Sequence, residues 1–421
     1  MKMRQILFLL FANVVSYHAF GQNLTLDKSH ELARLNFPLI KQKELLVKSK
    51  DYSVANAHSG FLPQLSLSGQ ATYQSDVTKI PISFPGVDIE PLSKDQYRIF
   101  GEISQALYDG GAIKQQSATA EANAKVEDER VEVELYKVKE RINQLYFGIL
   151  LADAQLNQIG LLKKDLQTSL NKTEAAVLNG TSFKSNADIL KAELLKADQQ
   201  AIEMKSLRTA YLDMLSYFIN QKLSEDTSLE NPAVLSFQEA SFINRPELLL
   251  YNSQASLLNV QYKSAHTRNL PRFNIFLQGG YGRPGLNALL NDFSGYYIGG
   301  LRFIWNLSGF YNSNRDKQLL NLNVQQLNYQ KETFLFNTHL QLKQQSQEVK
   351  KLAELIEVDD KIVALRSNIS NTAKAQHENG VISTNDLLRE LNAEDQAIQN
   401  RLLHQIQLQL AQYSYQNISG N

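Results

Sequence analysis

The chain writes one structural unit twice. Pro38 opens an amphipathic stretch after Asn36-Phe37, and Pro246 opens another after Asn244-Arg245. Each stretch runs to a second proline, in Phe61-Leu62-Pro63 and in Asn269-Leu270-Pro271, and the copies are separated by 208 residues at both pairs. Proline suits the first turn of a helix, where its missing N–H costs nothing, so each stretch reads as a helix of the same length. An internal repeat outranks any local signal, because a reading that misses it misassigns the whole fold.

After each second proline the period switches from helical to alternating. Leu65, Leu67, Gly69, Ala71 and Tyr73 share one face, against Gln64, Ser66, Ser68, Gln70 and Thr72. The second copy repeats this with Phe273, Ile275, Leu277, Gly279 and Tyr281 against Asn274 and Gln278. A partner strand follows in each copy: Ile99, Gly101, Ile103 and Leu107 oppose Arg98, Glu102 and Ser104, and Tyr297, Gly299, Leu301, Phe303 and Trp305 oppose Arg302 and Asn306. Phe100, Gln105 and Phe276 break the pattern. Two hairpins result, with Pro/Gly-bearing loops around Lys79–Pro91 and Arg283–Asn291.

Both hairpins end in a turn, Asp109-Gly110-Gly111 and Asn306-Leu307-Ser308-Gly309, from which a very long helix starts. In the first copy Leu135, Val138, Ile142, Leu145, Ile149, Ala152, Leu156 and Ile159 alternate spacings of three and four. That is the seam of helices that supercoil. Val358, Ile362, Leu365 and Ile369 give a shorter seam in the second copy. A continuous helix from Gly110 to Leu178 would be on the order of 100 Å long, too long for a compact globule. Both long helices stop at an Asn-Gly pair, Asn179-Gly180 and Asn379-Gly380, and glycine is the favoured residue just past a helix end. Returning helices are expected from about Asp188 and Asp386.

The first residues read as an address. Lys2 and Arg4 precede an apolar run from Ile6 to Val15, broken only by Asn13, and small residues Ala19 and Gly21 stand before a plausible cut ahead of Gln22. The run is about half of the roughly 20 residues a spanning helix needs, which favours a removed secretory signal over an anchor. No later stretch reads as apolar for long enough to span as a helix. The expected organisation is a signal at 1–21, a first repeat at 22–240 and a second at 241–421. The hairpins fall at about 64–108 and 272–306, and the helical turns at about 178–188 and 378–389.

Composition removes other classes. With no cysteine there is no disulfide framework, thiolate metal site or N-terminal lipidation. Forty-three basic and 43 acidic residues cancel without forming blocks, which argues against nucleic acid as a partner. The seven histidines are scattered without paired-ligand spacing, and Ser169-Leu-Asn-Lys172 matches a Ser-x-x-Lys pattern without its companion motifs. No catalytic, cofactor or metal site is expected. Two of the four methionines lie in the signal, so a methionine-lined metal path is unsupported.

Strands of about 10 to 12 residues approach the length that crosses a bilayer at a tilt. Their other faces carry Arg98, Glu102, Gln278 and Arg302, as a water-filled lumen would require. A soluble sheet with one covered face reads similarly on local pattern, but no globular segment is left over to cover it. Four strands cannot close a barrel, because even small ones need about eight. An open edge in lipid would leave backbone groups unsatisfied, so the chain must oligomerise if its strands lie in the bilayer. Three copies would supply twelve strands. A non-pore periplasmic or surface coiled-coil scaffold or adhesin is the alternative, and it leaves the strands without a role.

At this point the chain resembles the TolC-type outer-membrane efflux proteins over essentially all of its mature length. Arg245-Pro246-Glu247-Leu248, Phe61-Leu62-Pro63, Leu270-Pro271, Tyr108-Asp109-Gly110-Gly111, Asp188-Ile189-Leu190-Lys191-Ala192 and Asp386-Leu387-Leu388 carry the likeness. Their order and doubled spacing are specific, although no single motif is. The resemblance implies a mainly α fold with a small β part. It implies a homotrimer with a twelve-stranded barrel in outer-membrane lipid, continued by a helical coiled-coil barrel across the periplasm. It further implies a periplasmic adaptor and an inner-membrane pump as partners. By the same resemblance Asn179, Gly180, Ser185, Asp188 and Asn379 would serve adaptor docking, and Gly380, Asp386 and Arg389 would form a constricted aperture. Some relatives place two aspartates one turn apart there. This chain has Asp386 and then Arg389, so a mixed salt-bridged ring is expected instead, and Asp386 doubles as a candidate helix cap.

Overall fold

A computed structural model describes residues 24–78, 91–233, 235, 237–239 and 241–420. The expected signal at 1–21 and most of the first hairpin loop lie outside the described residues. The order is α1 (Leu26–Asn36), α2 (Ile40–His58), β1 (Gln64–Tyr73), β2 (Asp95–Tyr108), α3 (Ala112–Leu178) and α4 (Lys184–Ile219). The second copy gives α5 (Pro246–His266), β3 (Arg272–Arg283), β4 (Ser294–Ile304), α6 (Ser313–Glu378) and α7 (Thr384–Ser419). The chain is therefore mainly α, with a small β part and a duplicated architecture. It divides into two compact units, one holding residues 38–136 and 242–341, the other 137–241 and 342–418 with the N-terminal helix.

In the first unit α2 and α5 end alike, in single 3₁₀ turns at Ser59–Phe61 and Thr267–Asn269, before Pro63 and Pro271 lead into strands. The strands form one antiparallel sheet in the order β1-β2-β3-β4. Register aligns Leu65 with Ile103 and Leu277, and Ile99 with Tyr281, so one face is apolar across all four strands. No described residue covers that face: Leu65, Leu67, Tyr297 and Leu301 are each at least three-quarters exposed. The two turns into the long helices use different caps. Asp109 accepts from the N–H groups of Gly111 (2.8 Å) and Ile113 (2.6 Å), while Gly110 and Gly111 take φ of 71° and 79°. A Cβ on Gly110 would come within 2.8 Å of Leu270 Cβ, so this position also needs glycine for space. In the second copy the Asn306 side chain accepts from Ser308 N–H and opens a 3₁₀ turn at Leu307–Tyr311.

The second unit is helical. The α3 seam is its core: Val138, Ile142, Leu145, Ile149, Ala152 and Ile159 are buried. One cluster packs Ile142, Tyr146, Phe147 and Ile149 against Leu212, Leu215 and Ile219 of α4 and Leu26 and Ala33 of α1. The buried Tyr146 hydroxyl lies 2.5 Å from Leu24 O and 2.7 Å from Glu230 O, tying the segment before α1 to the segment after α4. A second cluster joins Leu162, Leu166 and Leu170 of α3 to Leu190 of α4 and to Leu387 and Leu391 of α7.

Within the described chain the second-copy seam is uncovered: Val358, Ile362, Leu365 and Ile369 are all exposed, while α6 buries Val349, Leu352 and Ala373. Two expectations need correction. The returning helices start earlier than expected, at Lys184 and Thr384, because the turns after the Asn-Gly pairs need only a few residues. And α3 does contain a stretch long and apolar enough to cross a membrane by length and composition. Its apolar side chains around Tyr146 and Phe147 are the ones that build the helical core.

Candidate functional site

The sheet's second face gathers the sequence-predicted lumen residues. Glu102 on β2 stands opposite Ser66 on β1 and Gln278 on β3, and Arg98 stands opposite Gln70 and Gly282. Arg302, on β4 opposite Asn274, reaches across β3 to Glu102 and donates from Nη1 to Oε1 at 2.8 Å and from Nη2 to Oε2 at 3.0 Å. This paired fork is the strongest carboxylate–guanidinium geometry. The reach is supported from below: the guanidinium lies 4.4 Å from the Phe276 ring centroid. Phe276, which breaks the alternation in sequence, is thus the platform on which the bridge rests. Phe100 has a comparable reason, since Gly280 beside it is bare and Tyr296 lies over the gap.

At the two helical turns the backbone is the same and the side chains differ. Gly180 and Gly380 both have φ of 70°. The N–H of Thr181 bonds Ala176 O and that of Gly180 bonds Val177 O, while Val381 and Gly380 bond Gln376 O and His377 O. Each pair closes its helix end in a Schellman arrangement, which requires the left-handed glycine. Asn179, Gly180, Ser185 and Asp188 are exposed at the first turn, and Asn379 and Gly380 at the second.

Asp386 sits at the third position of α7, and its carboxylate accepts from the Ser383 hydroxyl (2.7 Å) and Ser383 N–H (3.3 Å). In return Asp386 N–H donates to Ser383 Oγ at 3.2 Å, completing a reciprocal capping box. The Ser383 hydroxyl, then its N–H and the nearby Arg389 cation, hold the Asp386 carboxyl below its usual range. Arg389 lies 3.3 Å from Asp386 and 3.0 Å from Glu390, so its salt bridges run along its own helix. The first turn has Phe183 where the box has Ser383, with no side-chain cap, and its ring is exposed.

Between the turns, Lys172 bonds Glu378 at 2.5 Å and Lys374 bonds Asp165 at 2.6 Å. They border a cavity of about 730 Å³ that His377 and Thr384 also line. The cap expected at Asp386 is instead Ser383, with Asp386 its partner three residues on, whereas the Lys172–Glu378 and Lys374–Asp165 pairs join residues about 200 apart and carry no local signal. Among the described residues no cluster of His, Asp or Glu suits a metal ion.

Residues 30–216 match the family described as outer membrane efflux protein. No curated protein sequence matches the chain. Among solved structures, the VceC outer membrane protein of Vibrio cholerae is similar at 13% identity and a TM-score of 0.67, covering 94% of this chain and 96% of its own. The CmeC outer membrane channel of Campylobacter jejuni is similar at 16% identity and 0.66, covering 94% and 85%. The MtrE outer membrane channel of Neisseria gonorrhoeae, solved in an open state, is similar at 14% and 0.65, covering 94% and 88%. The resemblance to TolC-type channels thus holds both in the family match and in the fold.

Proposed function

We propose that this chain, which carries the outer membrane efflux protein family's features over residues 30–216, is an outer-membrane channel: the passive exit duct of an export machine. The observation that carries the reading is the four-stranded sheet, with one uncovered apolar face, one polar face, and β1 and β4 each unpaired along one edge. In lipid such edges are untenable, and pairing β4 of one copy with β1 of the next removes them. Three copies give a twelve-stranded barrel whose apolar face meets lipid and whose polar face meets water. The uncovered seam of α6 finds its partner in the same assembly. Nothing in this arrangement activates a nucleophile or a water, and conduction needs neither.

The two helical turns are then the periplasmic end. Asn179, Gly180, Ser185, Asp188 and Asn379 form the surface for a periplasmic adaptor, which links the duct to an inner-membrane pump. Gly380, Asp386 and Arg389 border the aperture. Residues 1–21 direct the chain out of the cytoplasm and are removed, and without a cysteine no lipid anchor replaces them.

The test is to purify the mature protein from the membrane fraction in detergent and measure its mass and its single-channel conductance in a planar bilayer. A trimer with small, mostly closed channels is expected. A monomer or dimer without conductance would return the chain to the scaffold class.

A further inference from the structure

We infer that the exit lumen is anion-selecting, and that Arg98 is the residue that sets this preference; the inference rests on the polar face lining the channel. Alternation and register put Arg98, Glu102, Arg272 and Arg302 on that face and no other charged strand residue with them. Three guanidiniums thus face one carboxylate in each sheet. The carboxylate is already committed, since both Glu102 oxygens are taken by Arg302 in the paired fork. Asp95 and Arg283, the other charged pair of the sheet, belong to the opposite face and bond each other. Arg98 and Arg272 are exposed and form no ion pair with any described residue. Arg272 stands at the first residue of β3, at the helix-side end of the sheet. Arg98 stands within β2, so it is the uncompensated cation inside the lumen.

Its surroundings keep it free. The residues around it on this face are Gln70, Thr72 and Gln96, which bear no charge; the small polar cavity they border with it is also lined by Arg283, whose guanidinium is taken by Asp95. Gly282 opposite leaves its backbone unobstructed, because a Cβ there would lie 2.7 Å from Tyr97 O and 3.2 Å from Arg98 Cα. In a closed trimer the three copies of Arg98 make a ring at one level. A wall of one sign concentrates counter-ions in a confined channel and raises their entry rate by about tenfold or more. The cargo class this favours is small anionic solutes, carboxylates and phosphates among them. The Glu102–Arg302 bridge serves the same end by removing from the lumen the one charge that would oppose it.

The test is the reversal potential of the purified full-length trimer across a potassium chloride gradient at about 0.1 M, where the screening length is about 10 Å. Chloride preference is expected in the wild type, moving towards potassium in Arg98→Glu and further towards chloride in Glu102→Gln. A second measurement is independent of the helical turns. The chain has no cysteine, so Gln70→Cys introduces a single thiol beside Arg98. An anionic methanethiosulfonate reagent should label it about tenfold faster than a cationic one. Adding Arg98→Glu should reverse that order. Labelling by both reagents with equal rates, unmoved by Arg98→Glu, overturns the selectivity while leaving the duct intact. A thiol reached by neither reagent, in a protein without conductance, takes down the lumen reading and this inference with it.

Discussion

At the scale of single residues, polar groups in the helical unit are held by geometry that fixes their charge. His30 on α1 holds its Nε2 2.6 Å from Asn143 Oδ1 on α3. Burial is the main force on its pKa and lowers it; the Lys139 cation adds to that, and the Asn143 bond and Asp27 oppose it. The unfolded chain therefore takes up a proton at His30 below about pH 6.5 more readily than the folded one. Stability is complete above that value and falls as the pH drops through it, by at most about 1.4 kcal/mol per pH unit for one proton. Melting temperature measured from pH 7.5 to 5.5 should fall in the wild type and fall less in His30→Gln. His377, whose pKa burial also lowers, keeps the slope from vanishing. An unchanged slope in His30→Gln would show that the imidazole is not carrying the effect. Asp386 works in the other direction. Its carboxylate is engaged by Ser383, so the contribution of the capping box is present above the usual carboxylate range and is lost as pH falls through the depressed value.

At the scale of elements, the same residue type has opposite consequences along one helix. Gly148 and Gly160 both lie inside α3. A Cβ at Gly148 would come 2.7 Å from the Tyr211 ring, whereas at Gly160 nothing lies within 4 Å. Gly160→Ala should stabilise the chain by up to about 1 kcal/mol through the backbone entropy it removes from the unfolded state. Gly148→Ala must push α4 away and should cost about 1–3 kcal/mol. Chemical denaturation of the two variants measures both signs, and a stabilised Gly148→Ala would show that α3 and α4 do not meet there as described. Elements of this kind were legible where the signal was periodic. The doubled prolines, the alternating strands and the Asn-Gly stops each follow from a local rule, and the strand faces came from pattern alone. What pattern could not supply was which helix face is covered. The seams of α3 and α6 look alike in sequence, yet the first is buried and the second exposed, because covering depends on the partner helix and not on the seam. The same limit hid the Glu102–Arg302 bridge. Its two residues lie on strands that are not neighbours, and only the register of β3 between them, with Phe276 as a support, brings them together.

At the scale of the whole molecule, the described chain leaves too much apolar surface open to be a finished particle. In the helical unit Val358, Ile362, Leu365 and Ile369 form an exposed stripe on α6. In the unit that holds the sheet, Leu322, Tyr329 and Phe336 recur every seven residues on the same helix and are each more than half exposed. A seven-residue repeat is the spacing at which one helix packs into the holes of another, so the stripes ask for helices from another copy. Burying one leucine is worth about 1.5–3 kcal/mol, so a seam repeated between copies would add to the stability of an assembly without being needed to fold each chain. Leu365→Glu should therefore lower the trimer fraction, read by light scattering in detergent, while the helix content and melting of the separated chain stay near wild type. Leu352, on the same helix but only 2% exposed within the chain, is the control. Leu352→Glu should destabilise the chain itself, because it places a carboxylate in the small core that α6 shares with Ala411 of α7. If Leu365→Glu instead leaves the trimer intact, the stripe faces water or lipid, and the contacts that close the assembly must be sought along the strand edges. If both variants fail in the same way, the chain has no core independent of its partners, and folding and assembly are a single transition.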